Sequence, residues 1–337
     1  MAWYNTEGKD LDTVISSRIR FARNLSSYRF SSTISDEDAK KIINEVSEAV
    51  ADKGFVEISF QNLSAVEKKS YVEKHYVSPE FAVKEGAHTL LLNESTNTAI
   101  MLCEEDHIRL QCIQPGFSLE GAYKTACAYD DEIDEKLDIA YDEKLGYLTS
   151  CPTNLGTGMR ASVMMFLPML TMTGKISSLA AQLSKIGLTM RGLYGEGSQS
   201  KAAIYQISNQ VTLGITEEDT IKKLIEIVTD ISDKERALRG ALDGDLKNRL
   251  YDKILRSEGI MKHAYMLSSS EFAELFASVR LGISLGIIKE TDYTKSDELF
   301  VLLQPATLMQ SLKAQPKSEV ERDIARAKKL KELLGCK

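Results

Sequence analysis

Two periodicities of hydrophobic positions divide the first part of the chain into predicted strands and helices. Apolar and polar residues alternate through TVISSRIR at 13–20, which is the period of a β-strand. Apolar residues recur every three or four positions through 35–53, 118–141 and 175–186, which predicts amphipathic helices with one buried face. Further strand patterns lie at 56–60, 88–113 and on both sides of a glycine-rich loop near residue 197.

The last part of the chain has a different pattern. Long helical runs begin near Glu217, and no strand pattern follows Leu213. Glycines interrupt the helical pattern in RGALDGD at 239–245, which predicts a boundary there. The sequence therefore predicts an α+β chain, with one domain over 1–240 and an all-α C-terminal domain over 241–337.

A glycine-rich stretch, CPTNLGTGMRASV at 151–163, precedes a helix predicted over 161–170. Gly156 and Gly158 permit a tight turn and a close approach of the backbone to a ligand. Arg160 would then stand at the N-terminus of that helix, where free N–H groups and the helix dipole favour an anion. Glycine turns are mostly only turns, so this stretch alone leaves a plain turn and an anion site both open.

The composition narrows the classes of function. The 42 basic and 49 acidic residues give a formal net charge of −7, which argues against non-specific nucleic-acid binding. No apolar run approaches the ~20 residues of a membrane span, and the N-terminus lacks the pattern of a secretion signal. Five scattered cysteines without a CxxC pair predict free thiols in a reducing cytoplasm. Four histidines without ligand spacing predict no structural metal site.

Charged residues at strand spacing supply the candidate chemistry. Arg18 and Arg20 lie two apart and point to one face of a strand, where they repel each other unless an anion neutralises them. A solvated edge strand is the plain alternative. If the next strand begins at Glu105, then Glu105, His107 and Arg109 share one face. Glu105 and Arg109 are then either a neighbouring ion pair or a base and a phosphate clamp in one pocket.

Five segments resemble, in the same order, motifs of the guanidino (phosphagen) kinases, the family of creatine and arginine kinases. They are SSRIRFAR from Ser16, VEKHYVSP from Val72, EEDHIR from Glu104, CPTNLGTGMRASV from Cys151 and RGLYGEG from Arg191. The resemblance implies a mostly antiparallel sheet flanked by helices. It also implies transfer of phosphate from ATP to a guanidino group, with Mg²⁺ bridging the phosphates.

The resemblance assigns roles to individual residues. Glu105 is expected to act as the base and Glu196 to orient the guanidinium, while Cys151 supports the substrate and is sensitive to oxidation. A guanidinium has a pKa of about 12.5–13.8 and is a poor nucleophile while protonated, so carboxylates must orient and deprotonate it. Arginines grip phosphate oxygens in a bidentate manner. The residues expected to hold the nucleotide are Ser16, Ser17, Arg18, Ile19, Arg20, His75, Arg109, Arg160, Ala161, Ser162, Val163, Met164, Arg191, Gly192 and Gly195.

Two departures point to one subgroup of the family. Members that act on small metabolites carry a helical domain before the SSRxR segment, but here that segment begins at Ser16. The helical region after about Arg239 is foreign to those metabolite enzymes. This arrangement resembles the bacterial protein-arginine kinases, which phosphorylate arginine side chains of proteins. The subgroup implies an allosteric phosphoarginine site in RDIARA, expected at Arg322, Asp323, Arg326 and Ala327.

The subgroup also carries expectations for the cell. They are a cytoplasmic homodimer, a role in the stress response, protein substrates with exposed arginines, a zinc-containing activator, a heat-shock repressor and a Clp ATPase. Two alternative functions stay open: a kinase for free arginine or another small guanidino compound, and a non-catalytic adaptor that binds phosphoarginine. A plain alternative also stays open for the arginines near the C-terminus. From spacing alone, Arg322 and Arg326 form one face of a basic solvated helix.

Overall fold

The computed structural model describes residues 2–31, 33–193, 200, 202–312, 316 and 318–336. Its strands are β1 (Val14–Arg23), β2 (Val56–Ser59), β3 (Thr89–Asn93), β4 (Thr98–Leu102), β5 (Ile108–Pro115), β6 (Tyr141–Asp142), β7 (Gly146–Tyr147), β8 (Met159–Phe166), β9 (Leu188–Gly192) and β10 (Ile204–Asn209). Its α-helices are α1 (Asp36–Ala49), α2 (Ala65–Glu73), α3 (Pro79–Val83), α4 (Leu119–Lys136), α5 (Pro168–Met172), α6 (Ile176–Lys185), α7 (Glu217–Gly240), α8 (Gly244–His263), α9 (Ser269–Ser284), α10 (Tyr293–Leu302), α11 (Pro305–Ser311) and α12 (Glu319–Leu334).

One antiparallel sheet organises the first part of the chain. Within the described residues it has eight strands in the order β2-β3-β4-β5-β1-β8-β10-β9. β1 pairs with β5 on one side and with β8 on the other, so the alternative of a solvated edge strand at TVISSRIR is wrong. The large antiparallel sheet flanked by helices, expected from the family resemblance, is confirmed.

The alternation along β1 separates a hydrophobic face of the sheet from a charged one. Ile19 and Phe21 are buried beneath α4 and α7, in a core that also contains the apolar stripe of α1. Arg18 and Arg20 point to the opposite face because successive side chains of a strand alternate in direction. Part of that second face is covered by α2, by α3 and by the C-terminal helices, with α11 packed against α2.

The helices predicted over 35–53 and 175–186 are confirmed by α1 and α6. Ser35 caps α1 by accepting a hydrogen bond from the Asp38 backbone N–H at 3.1 Å, and Gly54 ends the region with a φ of 76°. The helix predicted over 118–141 is shorter than expected, because α4 ends at Lys136 and the backbone is extended at Leu137. After β10 the described residues form helices and connecting segments, and a short break separates α7 from α8.

The helix predicted over 161–170 is wrong. Met159–Phe166 form strand β8, and only Pro168–Met172 are helical. Apolar and polar residues alternate over residues 159–163, but residues 164–166 are all apolar, and such a short mixed run does not distinguish a buried strand from a helix. Arg160 therefore projects from a strand, and the helix N-terminus that was expected to attract an anion there does not exist.

The acidic corner before β5 also differs from the expectation. The strand begins at Ile108, and Glu104 to His107 form a tight turn closed by a 2.7 Å hydrogen bond from the Cys103 N–H to the His107 carbonyl. His107 is fully buried and donates from Nε2 to the Arg29 carbonyl, since its Nδ1 accepts from the Leu25 N–H. His107 therefore does not share a face with Glu105.

Candidate active site

Strand register places the five predicted arginines on one face of the sheet. Opposed residues of antiparallel strands point to the same side, and Arg20 lies opposite Arg160. Arg109 lies opposite Ala22, two residues from Arg20 and therefore on the same face. Across β8 and β10 the same rule brings Arg191 to that face. Pairing of four separate strands thus gathers charges that are distant in sequence.

A cavity of about 1240 Å³ opens over this face. Its floor is the arginine cluster, defined as Arg18, Arg20, Arg109, Arg160 and Arg191. One part of the wall comes from α2, α3 and the acidic turn, and another comes from the C-terminal helices. The wall includes Glu73, His75, Glu80, Glu104, Glu105, Gly192, Ser269, Ser270, Gln304 and Pro305.

Carboxylates compensate only a small part of the positive charge of the arginine cluster among the described residues. Among the described residues, only Arg109 of the cluster hydrogen-bonds a carboxylate, whereas Arg18 bonds the neutral Ser162 and Gln206 side chains. Arg160 donates from Nη2 to the Ser208 hydroxyl at 3.1 Å, and its buried Nε has no partner among the described residues. Such an arrangement is costly unless an anion completes it.

Burial and mutual repulsion lower the pKa values of Arg18, Arg20 and Arg160 within this cluster. For Arg18, burial and then the charges of Arg109 and Arg160 lower the pKa to about 9. For Arg20, burial and then the charge of Arg18 hold the pKa well below its ordinary value. A multiply charged anion between these guanidinium groups would reverse the repulsion, so the cluster suits a polyphosphate.

Glu104 is a residue of this site that the sequence interpretation missed. It is 5% exposed and accepts hydrogen bonds from Arg109 Nη1 at 2.7 and 2.5 Å and from the Ser78 hydroxyl. Burial disfavours its charged form, but the adjacent Arg109 guanidinium outweighs burial and lowers the pKa of Glu104. The ion pair considered for Arg109 therefore exists, but with Glu104 instead of Glu105. The signal available was three acids in succession, which gave no means of choosing between them.

Glu105 remains directed toward the cavity because its neighbours are held elsewhere. Its side chain is exposed, and no hydrogen bond joins its carboxylate to a residue within the described part of the chain. Burial, followed by the negative charges of Asp106 and Glu104, raises the pKa of Glu105. A carboxylate with a raised pKa is a better base than an ordinary one.

His75 lies in the cavity wall next to the cluster. Its backbone has a φ of 62°, and its carbonyl accepts a 2.8 Å hydrogen bond from Gln111 Nε2. Burial and the charge of Arg18 lower the pKa of His75 to about 3. The ring is therefore neutral near pH 7 and packs against Trp3, with ring centroids 5.7 Å apart, without adding positive charge to the cavity.

The glycine-rich turn packs against protein, not against a ligand site. Gly156 has a φ of 100°, and a Cβ there would lie 2.1 Å from the Thr212 carbonyl oxygen. Gly158 has a φ of 60°, and a Cβ there would lie 2.6 Å from Arg23 Nη1 and 2.7 Å from the Ala22 carbonyl oxygen. The expectation that these glycines bring the backbone to a ligand is therefore wrong, since the freedom they supply is used for packing against neighbouring backbone.

Cys151 begins the loop that leads into this turn. It is partly buried, and its Sγ lies 3.0 Å from the Thr153 hydroxyl. Cys151 is not among the described residues that line the cavity. Glu196 and Gly195 lie outside the described residues.

Strand alternation separates the residues predicted to bind the nucleotide into two groups. The buried side chains of Ser17, Ile19, Ala161 and Val163 lie on the face opposite the cluster. Ser16, Ser162 and Met164 lie on the side of Arg18.

Comparisons with known proteins decide the family. Residues 37–238 match the family model described as ATP:guanido phosphotransferase, C-terminal catalytic domain, and residues 247–337 match that of the protein-arginine kinase McsB C-terminal domain. The chain is 42% identical over 336 residues to a protein-arginine kinase of Halothermothrix orenii, which covers 99% of this chain and 96% of the relative. It is 43% identical to a protein-arginine kinase of Geobacillus stearothermophilus, over 99% of this chain and 93% of the relative. The chain belongs to the protein-arginine kinase family.

Solved structures of guanidino kinases have the same fold. The duplicated taurocyamine kinase from Schistosoma mansoni with bound transition state analog components is 25% identical, with a TM-score of 0.62 over 79% of this chain and 40% of that longer chain. Lombricine kinase has a TM-score of 0.59 at 24% identity, over 70% of each chain, which shows a shared fold alone. These comparisons confirm the fold that the five sequence motifs implied.

The C-terminal region of this protein-arginine kinase family member holds one of its predicted arginines in an unexpected place. Arg326 is fully buried in α12 instead of lying on a solvated basic face. Its Nε donates to the Leu303 carbonyl at 3.1 Å, and its Nη1 donates to the Leu267 carbonyl at 2.7 Å and to Asp323 at 2.6 Å. Arg322 is 28% exposed and contacts Glu319 at 3.5 Å. The alternative of a basic solvated helix is therefore wrong for Arg326.

Those two carbonyl groups lie beside the cavity wall. Leu267 precedes the wall residues Ser269 and Ser270, and Leu303 precedes Gln304 and Pro305. The same wall is tied to α2 by Glu73, whose carboxylate accepts from the Ala306 N–H at 3.0 Å, the Thr307 N–H at 2.7 Å and the Thr307 hydroxyl at 2.9 Å. None of the expected site residues lies in this C-terminal part of the wall, because no local pattern joins segments so distant in sequence.

Two kinds of feature are absent from the described residues. No helix among them has the length and hydropathy that a membrane crossing requires. No group of three or more His, Cys, Asp or Glu side chains among them is arranged to hold a metal ion.

Proposed function

We propose that this chain transfers the γ-phosphate of ATP to arginine side chains of proteins. The observation that carries the proposal is the uncompensated arginine cluster with Glu105 beside it in one cavity. Polyphosphate binding and deprotonation of a guanidinium are the two tasks of such a transfer, and this cavity has residues suited to each.

The nucleotide is held by its phosphates over the arginine cluster. Each bidentate contact neutralises part of the repulsion that lowers the pKa values of Arg18 and Arg20. Neutral His75 forms part of the wall beside Arg18. Mg²⁺, when bound to the nucleotide, neutralises charge on the β- and γ-phosphates. The arginines supply positioning and electrostatic stabilisation, the main sources of catalysis in phosphoryl transfer.

The acceptor guanidinium meets carboxylates at the edge of the cluster. Glu105 takes its proton while the guanidino nitrogen bonds the γ-phosphorus and the bond from that phosphorus to the ADP oxygen breaks. Glu196 orients the planar group, as the family resemblance implies, and Cys151 supports it from the loop that follows β7. The raised pKa of Glu105 favours its role as the base.

The C-terminal region, which we place at 241–337 after a catalytic domain of 1–240, supplies a regulatory site. The division is supported by the end of α7 at Gly240 and by family-model matches that end at residue 238 and resume at 247. Phosphoarginine would bind at Arg322, Asp323, Arg326 and Ala327. Support comes from two buried donors, Arg322 Nε and Arg326 Nη2, which have no partner among the described residues.

Family membership supports a wider setting for this activity. We place the protein in the cytoplasm as a homodimer that acts in the stress response on proteins with exposed arginines. A zinc-containing activator, a heat-shock repressor and a Clp ATPase are its proposed partners. The match of residues 247–337 to the protein-arginine kinase C-terminal domain is the observation behind this setting.

The test is a transfer assay with labelled ATP in which an unfolded protein and free arginine are offered side by side. Glu105→Gln removes the proposed base, and Glu57→Gln on the exposed part of β2 is the matched control. The product is treated with acid, because a phosphorus–nitrogen bond hydrolyses where a serine phosphate survives. We expect acid-labile label on protein, lost in Glu105→Gln and kept in Glu57→Gln.

The other outcomes reject the proposal in different ways. Label on free arginine would assign the chain to the kinases that phosphorylate small guanidino compounds. Phosphoarginine binding without any transfer would identify an adaptor. Acid-stable label on protein would exclude arginine as the acceptor.

A further inference from the structure

Three successive acids in the turn between β4 and β5 have three different environments. Glu104 is buried and pairs with Arg109, Glu105 is exposed toward the cavity, and Asp106 is 2% exposed. The turn is short and closed by the bond from the Cys103 N–H to the His107 carbonyl. Cys103 has a φ of 59°, so the backbone of the turn is constrained. Anchors on both sides therefore set the direction of Glu105.

The Asp106 anchor reaches the loop that carries Cys151. Its Oδ1 accepts a 2.6 Å hydrogen bond from the Ser150 backbone N–H, the residue immediately before Cys151. The same oxygen accepts a 2.7 Å bond from Asn24 Nδ2 at the end of β1. One buried carboxylate oxygen therefore joins the turn of Glu105, the end of the arginine-bearing strand and the loop of Cys151.

Asn24 completes the connection from the other side. Its Oδ1 accepts from the His107 N–H at 2.9 Å, and its Nδ2 also donates to the Leu148 carbonyl at 3.0 Å. Asn24 thus holds the end of the turn and the chain before Ser150, but it does not bond the Ser150 N–H itself. Removing Asp106 would leave that partly buried N–H without its acceptor, which is costly and frees the loop to move.

We infer that Asp106 is a positioning residue for the reaction, holding Glu105 and Cys151 in register through the Ser150 N–H and Asn24. The inference rests on the proposed function for its catalytic consequences, whereas the anchoring of the loop is independent of any activity. Asp106 does not line the cavity, so it acts through the groups that it holds.

The charge of Asp106 adds a second effect on the proposed base. The charged groups that face Glu105 are Asp106, Glu104, Arg109 and Glu80. Burial and then Asp106 raise the pKa of Glu105, and Arg109 acts in the opposite direction. Removing the charge at position 106 should therefore move the acidic limb of the rate profile to lower pH, since Glu105 would then lose its proton at lower pH.

The experiment compares Asp106→Ala, Asp106→Asn and the matched control Asp134→Asn on the exposed side of α4, all in the full chain. The alanine variant removes the anchor and the charge, whereas the asparagine variant keeps an acceptor oxygen and removes only the charge. We expect kcat for protein phosphorylation to fall on the order of 100-fold in the alanine variant, with KM for ATP unchanged. The asparagine variant should recover most of that rate and show the acidic limb at lower pH.

Two readouts test the anchor without any catalytic assay. Hydrogen exchange at the Ser150 amide should be faster in Asp106→Ala than in the other proteins, and peptide mapping should show faster alkylation of Cys151 by iodoacetamide. If the wild-type chain phosphorylated no protein, the proposed function would be rejected. These two readouts would still show whether Asp106 anchors the loop that carries Cys151. Unchanged exchange and alkylation in the alanine variant would overturn the anchor.

Two kinetic outcomes would overturn the positioning role itself. One is an unchanged kcat in a folded alanine variant, and the other is a loss confined to KM for ATP. If the alanine variant does not fold, the asparagine variant decides, because an acidic limb that stays in place would overturn the electrostatic effect.

Discussion

Two groups of arginines, both expected to bind phosphate, are treated in opposite ways by the fold. The arginine cluster on the sheet has one carboxylate partner, at Arg109, among the described residues, and burial and mutual repulsion lower the pKa values of Arg18 and Arg20. Arg326 of α12 is fully buried but is bonded to two backbone carbonyls and to Asp323. The guanidinium groups of the cluster are therefore available to bind an anionic ligand. In the C-terminal pair, most donors of Arg326 are already hydrogen-bonded within the protein.

The difference lies in what each arginine faces, not in its local spacing. Arg18 and Arg20 are two apart on a strand, and Arg322 and Arg326 are four apart on a helix, so either pair is able to share one face. The sheet brings more arginines to its pair, whereas the C-terminal helices bring carbonyl oxygens to theirs. We therefore expect substitutions in the cluster to affect activity, and substitution of Arg326 to affect stability.

The largest effect is expected from Arg20→Met, which removes one charge from the cluster. Phosphoryl transfer should fall by ~10²–10³-fold, because Arg20 would stabilise charge on the transferred group. The midpoint of urea unfolding should rise, because repulsion from Arg18, Arg109 and Arg160 is relieved. Arg249→Met on the exposed side of α8 is the control and should change neither quantity. A less stable Arg20→Met protein would contradict the idea of stored repulsion.

Arg326→Met should destabilise the chain by about 3 kcal/mol, since two buried carbonyl groups lose their donor and Asp323 loses its partner. Arg322→Met should change the free energy of unfolding by less than about 0.5 kcal/mol, because Arg322 is partly exposed and makes one long contact with Glu319. Urea unfolding of both variants measures the difference. Equal losses would mean that the two positions are not distinguished by packing.

Glu73→Gln should weaken the contact between α2 and the C-terminal wall. The Glu73 carboxylate accepts three hydrogen bonds at the N-terminus of α11, and a glutamine retains one acceptor oxygen and no charge. We expect a loss of about 1–2 kcal/mol in thermal unfolding, with Glu57→Gln as the control. A thermal midpoint equal to that of the wild type would show that this link is not important for stability.

The smallest effect concerns pH and His75. Burial and Arg18 lower the pKa of His75 to about 3, so below about pH 6.5 the unfolded chain takes up a proton there that the folded chain does not. That difference removes stability as the pH falls from 6.5 toward 3. His75→Gln lacks the ring, so its free energy of unfolding should fall less steeply, by about 1 kcal/mol less between pH 6.5 and about pH 5.5. Parallel curves for the two proteins would contradict the lowered pKa.

The sequence predicted the elements well where its signal was local. The cap at Ser35 with the apolar stripe of α1 is a signal of this kind, and so is the alternation of β1. It failed at β8, because the alternation over residues 159–163 ends in an apolar run at 164–166, and so short a mixed pattern does not distinguish a strand from a helix. For the site, motif resemblance supplied Glu105 and the arginines of the cluster. Pairing of Arg109 with Glu104, and the wall at Ser269 and Gln304, depend on contacts between distant segments.

The sequence by itself determined the family, the arginines at strand spacing and the existence of an acidic turn, because motifs and periodicity are properties of short segments. Only the tertiary structure decided which acid of the turn is free, since burial and hydrogen bonding distinguish Glu104 and Asp106 from Glu105. It likewise decided that Arg326 is bonded inside the protein while Arg20 faces a cavity. The sequence gives the positions of the charged residues. Which of those charges are paired depends on neighbours that only folding brings together.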